Sequence, residues 1–180
     1  MGARQKAFDL GVLAQTYAWI FVSDNPRVSQ SRWSRDVESM ASQLRPLLDF
    51  FDIGLTPKTP LQHAPRHEAS SYAMTMLAEI KARLYTQQNH EDGDILAHIF
   101  TIAQIASLCF LNAGLRPDDR ASAVEAIRSA AHRFGVPEQL LKRLRDEPSQ
   151  AVIEELRSHI CAPNPRLHLV PDPGTETEQP

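Results

Sequence analysis

The sequence predicts an all-α protein, a single bundle of six or seven helices, on three observations. Apolar residues recur at helical intervals through most of residues 1–162. The seven glycines fall almost entirely outside those periodic stretches, and the β-branched runs that would make strands are sparse. A chain of 180 residues fits one such domain with a tail, and is long enough to bury roughly 70% of its unfolded surface. The expected division is a helical domain over 1–162 and a Pro-rich disordered tail over 163–180, with no internal repeat.

The first helix is predicted over about Arg4 to Ser23, with Leu10, Leu13, Ala14, Tyr17 and Ile20 or Phe21 on one face and Asp24-Asn25-Pro26 as its stop. Taken alone, Tyr17 to Val22 would suit a strand, but it continues the helical phase set at Leu10. Basic residues followed by apolar ones invite a signal-peptide reading. Asp9, Gln15 and Thr16 interrupt the apolar run, no small-residue cleavage site follows, and the hydroxyl that myristoylation of Gly2 needs is missing.

The second helix carries Trp33, Val37, Met40, Leu44, Leu47 and Phe51, at intervals of 4, 3, 4, 3 and 4, the seam of two helices packed lengthwise. Pro46 removes a backbone donor inside this seam, so a kink is expected there rather than a stop. Gly54 to His67 holds three prolines in fourteen residues and reads as a long surface connection. A third helix, about Glu68 to Gln88, has its stripe at Ala73, Met76, Leu77, Ile80 and Leu84, with Glu79 and Arg83 placed for a weak i,i+4 pair.

The fourth helix, about 94–112, is apolar nearly all round. From Ile95 to Leu111 only His98, Thr101, Gln104 and Ser107 interrupt it, and their spacing by threes drifts around the helix without making a polar face. A bilayer span wants about 20 apolar residues, more than this run supplies. A helix hydrophobic on all sides belongs at the centre of a bundle.

Gly114 ends it, and Pro117-Asp118-Asp119 opens a fifth helix to about Phe134, with Pro in the first turn and acids at the positive end of the dipole. Its stripe is Val124, Ile127, Ala131 and Phe134. After Gly135, Pro137 to Arg145 makes a short sixth helix, and Pro148 begins a seventh that ends near Ile160.

Charge and composition narrow the function classes. Net charge is −3, so no overall positive field draws the chain to nucleic acid or to an anionic membrane, and such contacts would have to be local. Cys109 and Cys161 are far apart and lack metal-ligand spacing, so both read as reduced thiols in a cytoplasmic protein.

The most suggestive motif is AAHRFGVPEQLLKRL, Ala130 to Leu144. With Gly135 in the turn, Ala131 takes the small position that lets two helices cross closely, and Phe134, Val136, Leu141 and Leu144 fill the angle between them. Over Ile127 to Leu144 the segment resembles helix-turn-helix DNA-binding motifs with a Gly-Val-Pro turn. That resemblance implies phosphate or base contacts from Gln139, Lys142, Arg143 and Arg145, within 127–145. Two residues oppose it. Leu140 stands where a recognition helix usually carries a polar residue, and Glu138 at the helix start would repel phosphate. Seven Lys/Arg against four Asp/Glu from Arg116 to Arg145 is only a mild excess. The corner is therefore expected to be structural.

Metal chemistry has one candidate set, His90, Asp94 and His98, with Asp94 and His98 four apart on one helix face. The simpler expectation is that Asp92 or Asp94 caps the central helix and His98 bonds to Asp94. His63 and His67 are separated by Pro65 and cannot share a helical turn. No phosphate-cradling glycine loop, nucleophile elbow or H-E-x-x-H occurs. Cys109 lies in the most apolar helix, where a thiolate is disfavoured, and Tyr17, Trp19 and Trp33 sit at core spacing. In the tail, Arg166-Leu-His-Leu-Val170 is a basic-apolar island of the kind that docks as a peptide.

The resulting expectation is a cytoplasmic, non-enzymatic protein without cofactor or membrane, acting through a protein partner or as a homodimer. A DNA-binding regulator and a metal-dependent helical enzyme are the alternatives.

Overall fold

Seven α-helices, and no strand among the described residues, make up the computed structural model, which describes residues 2–22, 29–55, 66–87, 93–111 and 117–163. They are α1 (Ala3–Val22), α2 (Gln30–Phe50), α3 (Arg66–Tyr85), α4 (Gly93–Leu111), α5 (Pro117–Ala131), α6 (Glu138–Asp146) and α7 (Gln150–Cys161), with a 3-10 turn, His132–Phe134, after α5. The Asp24-Asn25-Pro26 stop, most of the Gly54–His67 connection, His90, Gly114 and the tail beyond Pro163 lie outside the described residues.

Helix ends sit where local chemistry puts them. Ser29 and Ser149 cap α2 and α7, their hydroxyls accepting from the Arg32 and Val152 amides at 3.3 Å. The second of these caps moves the start of α7 past Pro148 to Gln150. Gly135 adopts φ 65°, a left-handed turn that costs an L side chain free energy, and its amide donates to the His132 carbonyl at 3.2 Å.

The centre is a pair of helices, α1 against α4. Burial of α4 was expected from its composition, and its Ile95, Leu96, Ile99, Phe100, Ile102, Ala103, Ala106 and Cys109 are all interior. At 19 residues, the length expected, and mean hydropathy 1.7 it could cross a membrane by length and composition alone, against the expectation drawn from its four polar interruptions. Contacts with α1, α3, α5, α6 and α7 account for that apolarity.

The first helix is more buried than a single stripe requires: Ala7, Phe8, Gly11 and Ala18 are interior as well as Leu10, Ala14, Tyr17 and Phe21. Close approach is the reason. A Cβ on Gly11 would stand 2.5 Å from the Phe100 carbonyl oxygen and 2.8 Å from the Ala103 Cβ, so only glycine lets the backbones meet there.

Around this pair, α2, α3 and α7 pack on α1, and α5, α6 and α7 close the other side of α4. The α2 seam departs from the even 3.5-residue pattern. Helix α2 continues through Pro46, but beyond Leu44 the buried residues are Leu48 and Phe51, with Leu47 half-buried. The 3.6-residue repeat of the unbroken helix carries Leu47 off the face that buries Leu44 and Leu48.

Candidate functional site

The helix-turn-helix-like corner forms as the spacing predicts: α5, the 3-10 turn and Gly135 lead into α6. Leu140, Leu141 and Leu144 are all buried, Leu140 at 2% exposure. Two adjacent leucines are therefore covered, one side of α6 meeting α5 and another meeting α7. Of the four side chains that could reach nucleic acid, Arg143 pairs with Glu155 on α7 at 2.5 Å and Arg145 pairs with Asp146 at 2.8 Å. Gln139 and Lys142 are exposed. Glu138 at the helix start is held by Arg128 of α5 at 2.6 Å, and Arg128 also pairs with Glu125.

At the N-terminus of α4, Asp94 and His98 do come together. The His98 Nδ1 lies 2.7 Å from the Asp94 carbonyl oxygen and 3.1 Å from its carboxylate. The other carboxylate oxygen of Asp94 accepts from Arg133 at 2.9 Å. A guanidinium on a carboxylate competes directly with a cation for it, and among the described residues no three His, Cys, Asp or Glu side chains converge as metal ligands. His90 lies outside the described residues.

Neither thiol is arranged as a nucleophile. Burial pushes the Cys109 thiol above its ordinary value, with Arg120 pulling weakly the other way, and burial raises Cys161 to about 11. A cavity of about 350 Å³ between α5 and α6 sets Arg120 and Arg145 against Asp118 and Asp146, a balance of charge that selects no ion.

A larger site opens between α2 and α7. Both lean on α1 without a packed interface of their own. Between them runs a groove of about 700 Å³, with buried Phe8 and Ser107 at its base and half-buried Val12, Leu13, Leu47 and exposed Phe110 along it. Its polar edge is Asp9, Glu154 and Arg157. Arg157 grips Asp9 through two bonds, 2.8 and 3.1 Å, and stands 3.5 Å from Glu154. This pair is the most sheltered ion pair at the groove, and it ties α1 to α7 across 148 residues of sequence.

Phe110 stands out because it belongs to α4. The residue before it, Cys109, is fully buried, yet Phe110 is 42% exposed and borders an apolar groove. The lining was missed in the sequence because much of it lies off the main stripes, while Leu13 and Leu47, which lie on them, were read as core. On α1 the residues are Phe8, Val12 and Thr16, four apart, with Asp9 and Leu13 beside them; on α7 they are Gln150, Ile153, Glu154 and Arg157. A signal existed in Val12, an apolar residue off the α1 stripe, and in the all-round apolarity of α4, which includes Phe110.

No family model, no curated protein and no solved structure matches this chain.

Proposed function

We propose that this protein works by holding another polypeptide in the groove between α2 and α7, as an adaptor, regulatory or small assembly subunit rather than an enzyme. The observation that carries this reading is Phe110, an exposed aromatic at the edge of a mostly apolar channel in an otherwise covered core helix. Desolvated aromatic anchors are where binding energy concentrates in protein interfaces. Two turns each of α1 and α7 line the channel, so it is roughly 10–12 Å long, enough for a short helical or extended segment. The edge supplies carboxylates and a guanidinium to fix orientation.

The test is a partner captured with the full chain, identified, purified and titrated against variants. Phe110→Asp should weaken its affinity at least tenfold, and the double variant Lys142→Glu/Arg143→Glu should leave it unchanged. A partner indifferent to Phe110 would overturn the reading. Buried Leu140 and the carboxylates on Arg143 and Arg145 favour a structural corner over a DNA-reading one. A steeply salt-dependent DNA affinity lost in that double variant would reverse the preference.

A further inference from the structure

The outer face of α3 is a second surface suited to contact, and none of its residues lines the groove. We infer that two copies of this chain pair through it, α3 lying antiparallel on α3 about a two-fold axis at Ala78.

Spacing and burial define the face. Helix α3 turns one side to α1 and α4. On the other side Met74, Ala78, Lys81 and Tyr85 follow at intervals of 4, 3 and 4, with Ser71, Thr75 and Ala82 beside them, and all of these are exposed. A solvated helix face is normally charged, as on α2, which exposes Arg32, Arg35, Asp36, Glu38, Arg45 and Asp49. The outer face of α3 carries one charge, Lys81. Glu79 and Arg83 stand at its margin, turned toward each other at 3.9 Å. Met74 is 55% exposed and Tyr85 62%, two of the four large apolar side chains left in water among the described residues. Eleven positions apart, they lie about three helical turns from each other on one line. Exposed apolar side chains gathered on one face mark a contact surface rather than scattered surface residues.

Size selects the partner. A two-fold axis at Ala78 brings Met74 of each copy level with Ala82 of the other, and Tyr85 level with Ser71. At both levels a large side chain meets a small one. Ala78 meets its own counterpart at the centre, where small residues let two helices approach to about 8 Å.

Charge selects the direction. A parallel pair would stack Tyr85 on Tyr85 and set Lys81 directly against Lys81. The antiparallel pair separates the two Lys81 levels by about 9 Å along the helices and lays each aliphatic stem beside Met74 of the other copy. It also opposes the two helix dipoles. From Ser71 to Tyr85 the face is about 21 Å long, so the pair buries on the order of 800 Å² over both copies, below the roughly 1,200 Å² of a stable standard interface. The dimer is therefore reversible and forms as concentration rises.

Sedimentation velocity over a wide range of concentration tests this on the full chain. Wild type should pass from monomer to dimer. Ala78→Arg, which sets two guanidinium groups at the axis, and Met74→Asp should each raise the dimer Kd at least tenfold, with helical circular dichroism unchanged. Direction is read by disulfide trapping in a Cys161→Ser background, since the remaining native thiol, Cys109, is fully buried. Ala78→Cys should cross-link readily under mild oxidation. Ser71→Cys should not, because its two copies lie about 21 Å apart along the antiparallel pair. A wild type that stays monomeric throughout, or a dimer indifferent to both Ala78→Arg and Met74→Asp, would overturn the α3 interface. Ser71→Cys cross-linking as fast as Ala78→Cys would overturn the antiparallel arrangement.

Discussion

The two ends of α4 meet the rest of the molecule in opposite ways. At its N-terminus, Gly93 is pressed against the last turn of α3, where a Cβ would stand 2.5 Å from the Tyr85 carbonyl oxygen and 2.7 Å from that of Leu84. Asp94 is bonded to Arg133 and His98 one residue later. At its C-terminus, Cys109 is enclosed but Phe110 opens onto the groove. One end is sealed by backbone contact and charge; the other keeps an aromatic available. The difference teaches that a uniformly apolar helix can serve stability and recognition at once, depending on which neighbours arrive to cover it.

Breaking the sealed end should have the largest effect. Gly93→Val forces a branched side chain onto two carbonyl oxygens, and overpacking of this kind costs about 1–3 kcal/mol, read as a lower urea midpoint at unchanged slope. A midpoint within error of wild type would show that the α3–α4 junction is loose.

Alkaline titration probes the enclosed thiol beside Phe110 together with the one at the end of α7. Cys109 and Cys161 both have thiols raised from 9.0 in the fold, the latter to about 11. The unfolded chain therefore releases these protons first. Their contribution is fully present below pH 9.0 and is lost as pH rises toward 11. Stability should fall across that window, and Cys161→Ala should flatten the slope; an unchanged slope would mean that Cys161 is solvated.

Smaller still is the ion pair at the sealed end. Arg133→Ala should cost under about 1 kcal/mol, because a half-exposed pair gains little over water, and the loss should shrink in high salt. A loss that salt does not touch would point to the Arg133 guanidinium over the Phe134 ring instead.

The open end should show almost nothing in stability. Phe110→Asp should move the unfolding free energy by no more than about 0.5 kcal/mol, since the ring is already partly in water. Measured beside the tenfold loss of partner affinity expected for the same variant, this would separate recognition from folding. A large destabilisation would instead make Phe110 part of the core.

Much of this architecture was legible in the residues themselves. Apolar spacing together with Gly and Pro punctuation located every described helix, the all-round apolarity of Ile95 to Leu111 placed α4 inside, and Ala131, Gly135 and Leu141 specified the α5–α6 corner. Pattern alone supplies these because helix formation and the identity of a buried face are local consequences of side-chain spacing. What the spacing of α1 could not convey is that Gly11 meets the Phe100 carbonyl, since that depends on a neighbour 89 residues away. Leu140 gave two readings in the sequence, and its burial is decided by α7 arriving on the far side of α6. The groove is wholly tertiary. It exists because α2 and α7 settle on α1 without packing closely on each other, leaving Val12, Leu47 and Phe110 only partly covered between them. Sequence periodicity determines which face of a helix seeks cover; only the packed structure decides how much of that cover the chain provides.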